Sequence, residues 1–168
     1  EEHTGIFNGM PGHTKLKMLD VFNIGKILSD KSLFFEQYIK ENNVIPQNVL
    51  DCLQKLHEDG YLLYIASNAD YATLDTVRGY TKVFNYIDKD FCVNQISYPK
   101  PNPQIYLKCM CEAGIGPSET LIVEDSEVGI KSADSSGAYY ISVENPYELT
   151  YDLIKNKINR IEILWLVF

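Results

Sequence analysis

The sequence predicts an α/β fold, a doubly wound parallel sheet with a partial helical cap. Three observations predict it. From Pro46 onward, helical patterns alternate with short apolar runs, as in successive βαβ units. The runs Tyr61–Ala66, Thr120–Val123 and Ala138–Val143 are continuously apolar, as strands buried on both faces of a parallel sheet are. Residues 1 to about 45 hold helical patterns at Thr14–Phe22 and Ser32–Glu41 and no convincing strand. We therefore expect a small, incomplete helical cap subdomain over 1–45 and an α/β core over 46–168.

Each element of the core has a local reason. Pro46 opens a helix with Val49, Leu50, Leu53 and Leu56 on one face, and Gly60 stops it. A helix runs from about Tyr71 to Gly79 after the first strand. Asn102-Pro103 is an N-cap followed by proline at the first helical position, and that helix ends at Gly114. Ser126 to Ser136 reads as a helix closed by Gly137. Tyr147 to Lys157 is a last helix before a terminal apolar strand, Ile161–Phe168.

Composition bounds the function. With 168 residues the chain has room for one domain of ordinary size, and 45% hydrophobic with 23% charged residues is globular composition. The net charge of −8, with no basic stripe, argues against a nucleic-acid partner. The apolar run Ile163–Phe168 is far short of the roughly 20 residues that cross a bilayer, so no membrane role is expected. The N-terminus, Glu1-Glu2-His3, does not read as a signal peptide. The four cysteines form no C-x-x-C pair and have no histidine at zinc spacing, which suits reduced thiols in a cytoplasmic protein. Cys109 and Cys111 share one helix, a poor arrangement for metal ligands. The chain does not begin with Met and ends on an apolar run, so we expect it to be a piece of something longer.

In parallel α/β sheets the ligand sits beyond the carboxyl ends of the strands. Ser67-Asn68 follows the first apolar run, Glu124-Asp125-Ser126 the second, and Pro99-Lys100-Pro101 lies between them. If the strands are parallel, a hydroxyl, two carboxylates and a lysine meet at one edge. This inventory suits phosphoryl chemistry. Adjacent carboxylates suit Mg²⁺, which takes hard oxygen ligands and lets a phosphate approach an acidic protein. Ser67 and the amide of Asn68 can donate to a phosphoryl oxygen, and Lys100 can neutralise charge. The prolines around Lys100 are expected to hold its backbone extended. Taken singly, Ser-Asn is also ordinary turn chemistry and Glu-Asp-Ser an ordinary capped helix start.

These motifs resemble the haloacid dehalogenase-like hydrolase superfamily, in its helical-cap branch with β-phosphoglucomutase and sugar-phosphate phosphatases. Ser67-Asn68 resembles the second motif of that family. Lys100 in Lys-Pro-Asn-Pro-Gln-Ile-Tyr resembles the third, and Val123-Glu124-Asp125-Ser126-Glu127-Val128-Gly129-Ile130 the fourth. Ile6-Phe7-Asn8-Gly9-Met10-Pro11 through Lys15-Leu16 looks like a cap segment. The resemblance implies a Mg²⁺-dependent phosphatase acting on a small phosphorylated metabolite. Asp125 would be a metal ligand, and Glu124 a second ligand or the holder of a metal-bound water. Ser67 and Lys100 would grip the phosphoryl group with help from Asn68, and Gly9, His13 and Lys15 would contact substrate from the cap.

The nucleophile of that family is an aspartate in an Asp-x-Asp motif after a central strand, ahead of the cap. The sequence has no counterpart. Asp88-Lys89-Asp90 has the letters, but it comes after the Ser67 motif and no buried apolar run precedes it. The expectation is a truncated phosphatase whose nucleophile is missing from these residues. The alternative is a catalytically inactive domain of this family with a binding or regulatory role, either on its own or fused to another enzyme. In either case the lost strand leaves a vacancy in the sheet, which Ile161–Phe168 is a candidate to fill.

Overall fold

The computed structural model describes residues 9–20, 22–42 and 44–165, with side chains described to residue 161. Helices α1 (Gly12–Met18) and α2 (Ile24–Glu41) form the N-terminal part. The core runs α3 (Gln47–Glu58), β1 (Tyr64–Ala66), α4 (Tyr71–Tyr80), β2 (Lys89–Phe91), α5 (Gln104–Ala113), β3 (Leu121–Glu124), α6 (Glu127–Ser136), β4 (Tyr139–Ser142) and α7 (Tyr151–Trp165). Among the described residues the strands form two parallel pairs, β1 with β2 and β3 with β4.

The caps explain where the core helices start and stop. The Asp70 carboxylate accepts from the Thr73 amide at 2.9 Å and opens α4. Ser126 does the same for α6, accepting from Gly129 N–H at 3.2 Å. Gly114 and Gly137, at φ 71° and 77°, end α5 and α6 in the left-handed region that a side chain disfavours.

Apolar layers lie on both faces of the strands. Ile122 of β3 joins Ile105 and Met110 of α5, Ala133 of α6 and Phe91 of β2. Its neighbours Leu121 and Val123 point the other way, against Cys52 and Leu56 of α3 and Ile154 of α7. This alternation is the strand period of two, with both faces covered. The N-terminal helices attach through α2, which packs on α4. There Tyr80 donates to Glu36 at 3.0 Å, and Lys40 lies 4.9 Å above the Tyr80 ring.

Three elements differ from the sequence expectation. Ile161–Trp165 continues α7 as helix instead of forming a strand, and 166–168 lie outside the described residues. Ile154, Ile158 and Ile161 recur at helical spacing along that helix and face the same apolar cleft. Lys89–Phe91 is a strand that the sequence reading did not anticipate, because its side chains carry charge. At β2, on the edge of its pair, Asp90 bonds Arg78 at 2.7 Å and Lys89 bonds Glu112 at 2.6 Å. Pro99–Asn102 is a closed turn rather than an extended segment. Asn102 N–H donates to Pro99 C=O at 3.0 Å, and the Lys100–Pro101 peptide is cis.

Candidate active site

The carboxyl ends of β1 and β3 point to the same edge, and Lys100 joins them. Its ammonium donates to the Ala66 carbonyl at 2.9 Å and to a Glu124 carboxylate oxygen. Lys100 and Glu124 are 7% and 8% exposed, so the pair is buried. The Tyr106 hydroxyl donates to the same Glu124 oxygen, and Lys100 Nζ sits 4.7 Å from the Tyr106 ring centroid. Ser126 Oγ reaches the other Glu124 oxygen at 3.3 Å. Burial, then the neighbouring carboxylate, pushes the Tyr106 hydroxyl well above its ordinary pKa, so it remains a donor across the working pH range. Tyr106 and Ser126 were not among the sequence candidates. Tyr106 lies in the Lys100 segment, on the helix that begins at Gln104, and that placement was the available signal.

Asn68 ties the strand-end loops together. Its side-chain oxygen accepts from Lys100 N–H at 3.1 Å. Its amide nitrogen donates to the Lys100 carbonyl at 3.3 Å and to the Gly9 carbonyl at 2.8 Å. Ser67 Oγ accepts from the Ala69 amide at 3.0 Å, which organises the turn and leaves its own proton to donate elsewhere.

Gly9 reaches this edge directly. At φ 73° it occupies the left-handed region, and a Cβ there would lie 2.8 Å from Ser126 Oγ and overlap Val128. His13 is exposed on α1. Partial burial, then Lys31, lowers the Lys15 pKa, and among the described residues no hydrogen bond joins His13 or Lys15 to the core. Asp88 and Asp90 lie elsewhere. Asp88 precedes β2 and accepts from Leu63 N–H at 2.7 Å, at the amino end of the strands.

The donor set can be tested against Mg²⁺. Asp125 is exposed, and among the described residues no hydrogen bond or ion pair engages its carboxylate. Glu124 is committed to Lys100, Tyr106 and Ser126. No cluster of three His, Cys, Asp or Glu side chains occurs among the described residues. One open carboxylate beside a hydroxyl and a buried lysine still fits Mg²⁺, which keeps several waters and takes the rest of its oxygens from few carboxylates and substrate. Asp125 is the residue that would hold it.

The cysteines divide by environment. Burial pushes the Cys52 and Cys109 thiols up to about 11, and Cys92 is also raised by burial. Cys111 is exposed. Alkylation followed by peptide mass mapping at pH 8 is therefore expected to label Cys111 first. Cys109 labelling should accelerate as pH rises toward 11 and its thiolate fraction grows. Equal labelling of all four at pH 8 would contradict these burial assignments.

A hydroxyl, an amide clamp, a buried lysine and an open aspartate thus lie together at the carboxyl edge of parallel strands in an α/β fold. Residues 8–143 match the pattern of the haloacid dehalogenase-like hydrolases, and the chain belongs to that family. Among curated proteins it is similar to (S)-2-haloacid dehalogenase 4A of Burkholderia cepacia, 25% identical over 75% of this chain and 55% of that protein. It is also similar to hexitol phosphatase B of Escherichia coli, 25% identical over 64% and 49%. The chain thus spans about half the length of the curated relatives it matches. Among solved structures, β-phosphoglucomutase of Clostridium difficile matches the fold with a TM-score of 0.74 at 14% identity, over 92% of this chain and 80% of that one. A family enzyme of Bacteroides thetaiotaomicron, crystallised with magnesium and inorganic phosphate, is 30% identical with a TM-score of 0.53, over 60% and 53%. No helix among the described residues is long and apolar enough to cross a membrane.

Proposed function

We propose that this chain carries the phosphate-binding half of a Mg²⁺-dependent, cytoplasmic phosphatase for a small phosphorylated metabolite, with the helices before residue 45 as part of its cap. One observation carries the reading: a buried Lys100 is fixed between two strand ends, beside Ser67 and the open Asp125. Lys100 would neutralise charge on the transferring group from a position that Glu124 and the Ala66 carbonyl hold. Ser67 would donate its proton to a phosphoryl oxygen. Asn68 would position Lys100 through its backbone, since its side chain is occupied there. Mg²⁺ on Asp125 would supply charge neutralisation for the phosphate. Support comes from the similarity to a hexitol phosphatase and to a structure holding magnesium and phosphate.

The described edge offers no counterpart of the family's nucleophilic aspartate, so the 168 residues alone are expected to release no phosphate from sugar phosphates. They are expected to bind Mn²⁺, a paramagnetic stand-in for Mg²⁺, with NMR line broadening centred on Asp125 and Ser67. Asp125→Asn should abolish the broadening and leave the rest of the spectrum intact. Broadening unchanged by that substitution, or phosphate release by the 168-residue chain, would sink the reading.

A further inference from the structure

We propose that Ser132, on helix α6, is a positioning residue for Lys100: its buried hydroxyl pins the Pro99–Asn102 turn from which the lysine reaches the strand ends. This role rests on the phosphatase reading for the anion that Lys100 is to meet, and on the geometry of the turn for everything else.

Lys100 is buried, but the turn that carries it is not. Pro101 and Asn102 are exposed, so the turn is held by hydrogen bonds more than by packing. On the β1 side Asn68 clasps Lys100, accepting from its backbone N–H at 3.1 Å and donating to its carbonyl at 3.3 Å. On the α5 side the Gln104 side-chain oxygen accepts from the Ser97 and Tyr98 amides at 2.9 and 2.7 Å. The Gln104 amide donates to Asn102 Oδ1 at 3.0 Å. A third tie runs to α6, where Ser132 Oγ donates to the Asn102 carbonyl at 2.9 Å. Among the described residues no backbone N–H donates to that carbonyl, so the hydroxyl is its partner.

The placement of this hydroxyl argues for a tertiary task. A serine inside a helix commonly returns its proton to the carbonyl four residues earlier, here that of Val128. Ser132 sends it instead to a residue 30 positions away. Ser132 is 0% exposed, so water cannot take the place of the hydroxyl there. Without it the Asn102 carbonyl either loses its hydrogen bond or swings outward to water and takes the turn with it. Lys100 then leaves the place where the Ala66 carbonyl and Glu124 hold its ammonium. The same helix fixes the other half of the ion pair, through Ser126 Oγ and the space left at Gly129. Ser126, Gly129 and Ser132 follow one another at a spacing of three, which makes them neighbours on one flank of α6. One helix therefore sets both Glu124 and Lys100, and a misplacement of about 1 Å can cost a reaction about 100-fold.

The test compares the 168-residue chain, grown with isotope-labelled lysine, with Ser132→Ala and Ser136→Ala. Ser136 is the matched control. It is 6% exposed on the same helix and donates to the Ala133 carbonyl at 2.6 Å, so its bond stays within α6. Each variant removes one buried hydroxyl, and only one of them touches the Lys100 turn. The Lys100 side chain is identified by NMR from its proximity to the Tyr106 ring, whose centroid lies 4.7 Å from Nζ. A fixed lysine gives its two ε protons separate signals, and a mobile one averages them. Separate signals are expected in the unaltered chain and in Ser136→Ala, and merged signals in Ser132→Ala. Inorganic phosphate, titrated with Mg²⁺ present, is expected to bind Ser132→Ala about fivefold to tenfold more weakly than Ser136→Ala. Separate signals in Ser132→Ala, merged signals in the other two chains, or equal phosphate affinity in the two variants overturns the proposal. A Ser132→Ala chain that no longer folds also overturns it, because the hydroxyl then serves stability alone. If no chain binds phosphate while the signals merge only in Ser132→Ala, the phosphatase reading fails and the positioning of Lys100 stands.

Discussion

Replacing Lys100 by Met is expected to destabilise the fold by about 3–5 kcal/mol, measured by urea denaturation followed by circular dichroism. The magnitude comes from what is left behind. Glu124 is 8% exposed, and with Lys100 gone its carboxylate keeps only the Tyr106 hydroxyl and Ser126 as partners. A buried charge without its counter-charge costs several kcal/mol, whereas an exposed pair contributes at most about 1 kcal/mol. The double variant Lys100→Met with Glu124→Leu should recover most of the loss, because it removes both charges from the interior. The recovery should change little with salt, since buried pairs are weakly screened. A loss under about 1 kcal/mol for Lys100→Met would mean that the pair behaves like a surface contact. The same pair is central to the proposed chemistry, so this substitution tests the framework of the site without assaying turnover.

The physics behind each element decided what the sequence could reveal. Helix ends at Ser126, Gly114 and Gly137 were legible because caps are local: one side chain or one positive φ settles them. The strands at Tyr64–Ala66 and Leu121–Glu124 were legible from their apolar continuity. Convergence of Ser67, Lys100 and Glu124 followed from topology alone, because parallel strands bring their carboxyl ends together. Charge hid β2, whose side chains answer to Arg78 and Glu112, residues distant in sequence. Ile161–Trp165 misled because a short apolar run reads equally as strand or buried helix, and the isoleucines at 154, 158 and 161 settle the matter only when counted together. The partners of Glu124 were not legible either. Its neighbour Asp125 stands open while Glu124 is held by Lys100 and Tyr106, and contacts across 24 and 18 residues leave no trace in local spacing.

Gly129→Ala is expected to cost about 2–3 kcal/mol, although alanine is the better helix former by about 1 kcal/mol. Gly129 is buried in the first turn of α6, and its missing Cβ leaves the space that the Glu124 carboxylate fills. A methyl group there would overlap both Glu124 oxygens and the carbon between them. An exposed carboxylate would simply swing away. Glu124 cannot do so cheaply, because Lys100, Tyr106 and Ser126 all hold it, and moving it leaves the Lys100 ammonium buried with a carbonyl and a ring as company. Gly79 is the control. It lies in helix α4 with nothing beyond its chain neighbours and its own helix backbone within 4 Å of where its Cβ would be, so Gly79→Ala should stabilise by about 0.5–1 kcal/mol. The same substitution in two helices of one protein should therefore shift the urea midpoint in opposite directions. Two shifts of the same sign would show that the Glu124 carboxylate is free to move, and the rigid cluster on which the site depends would be lost with it.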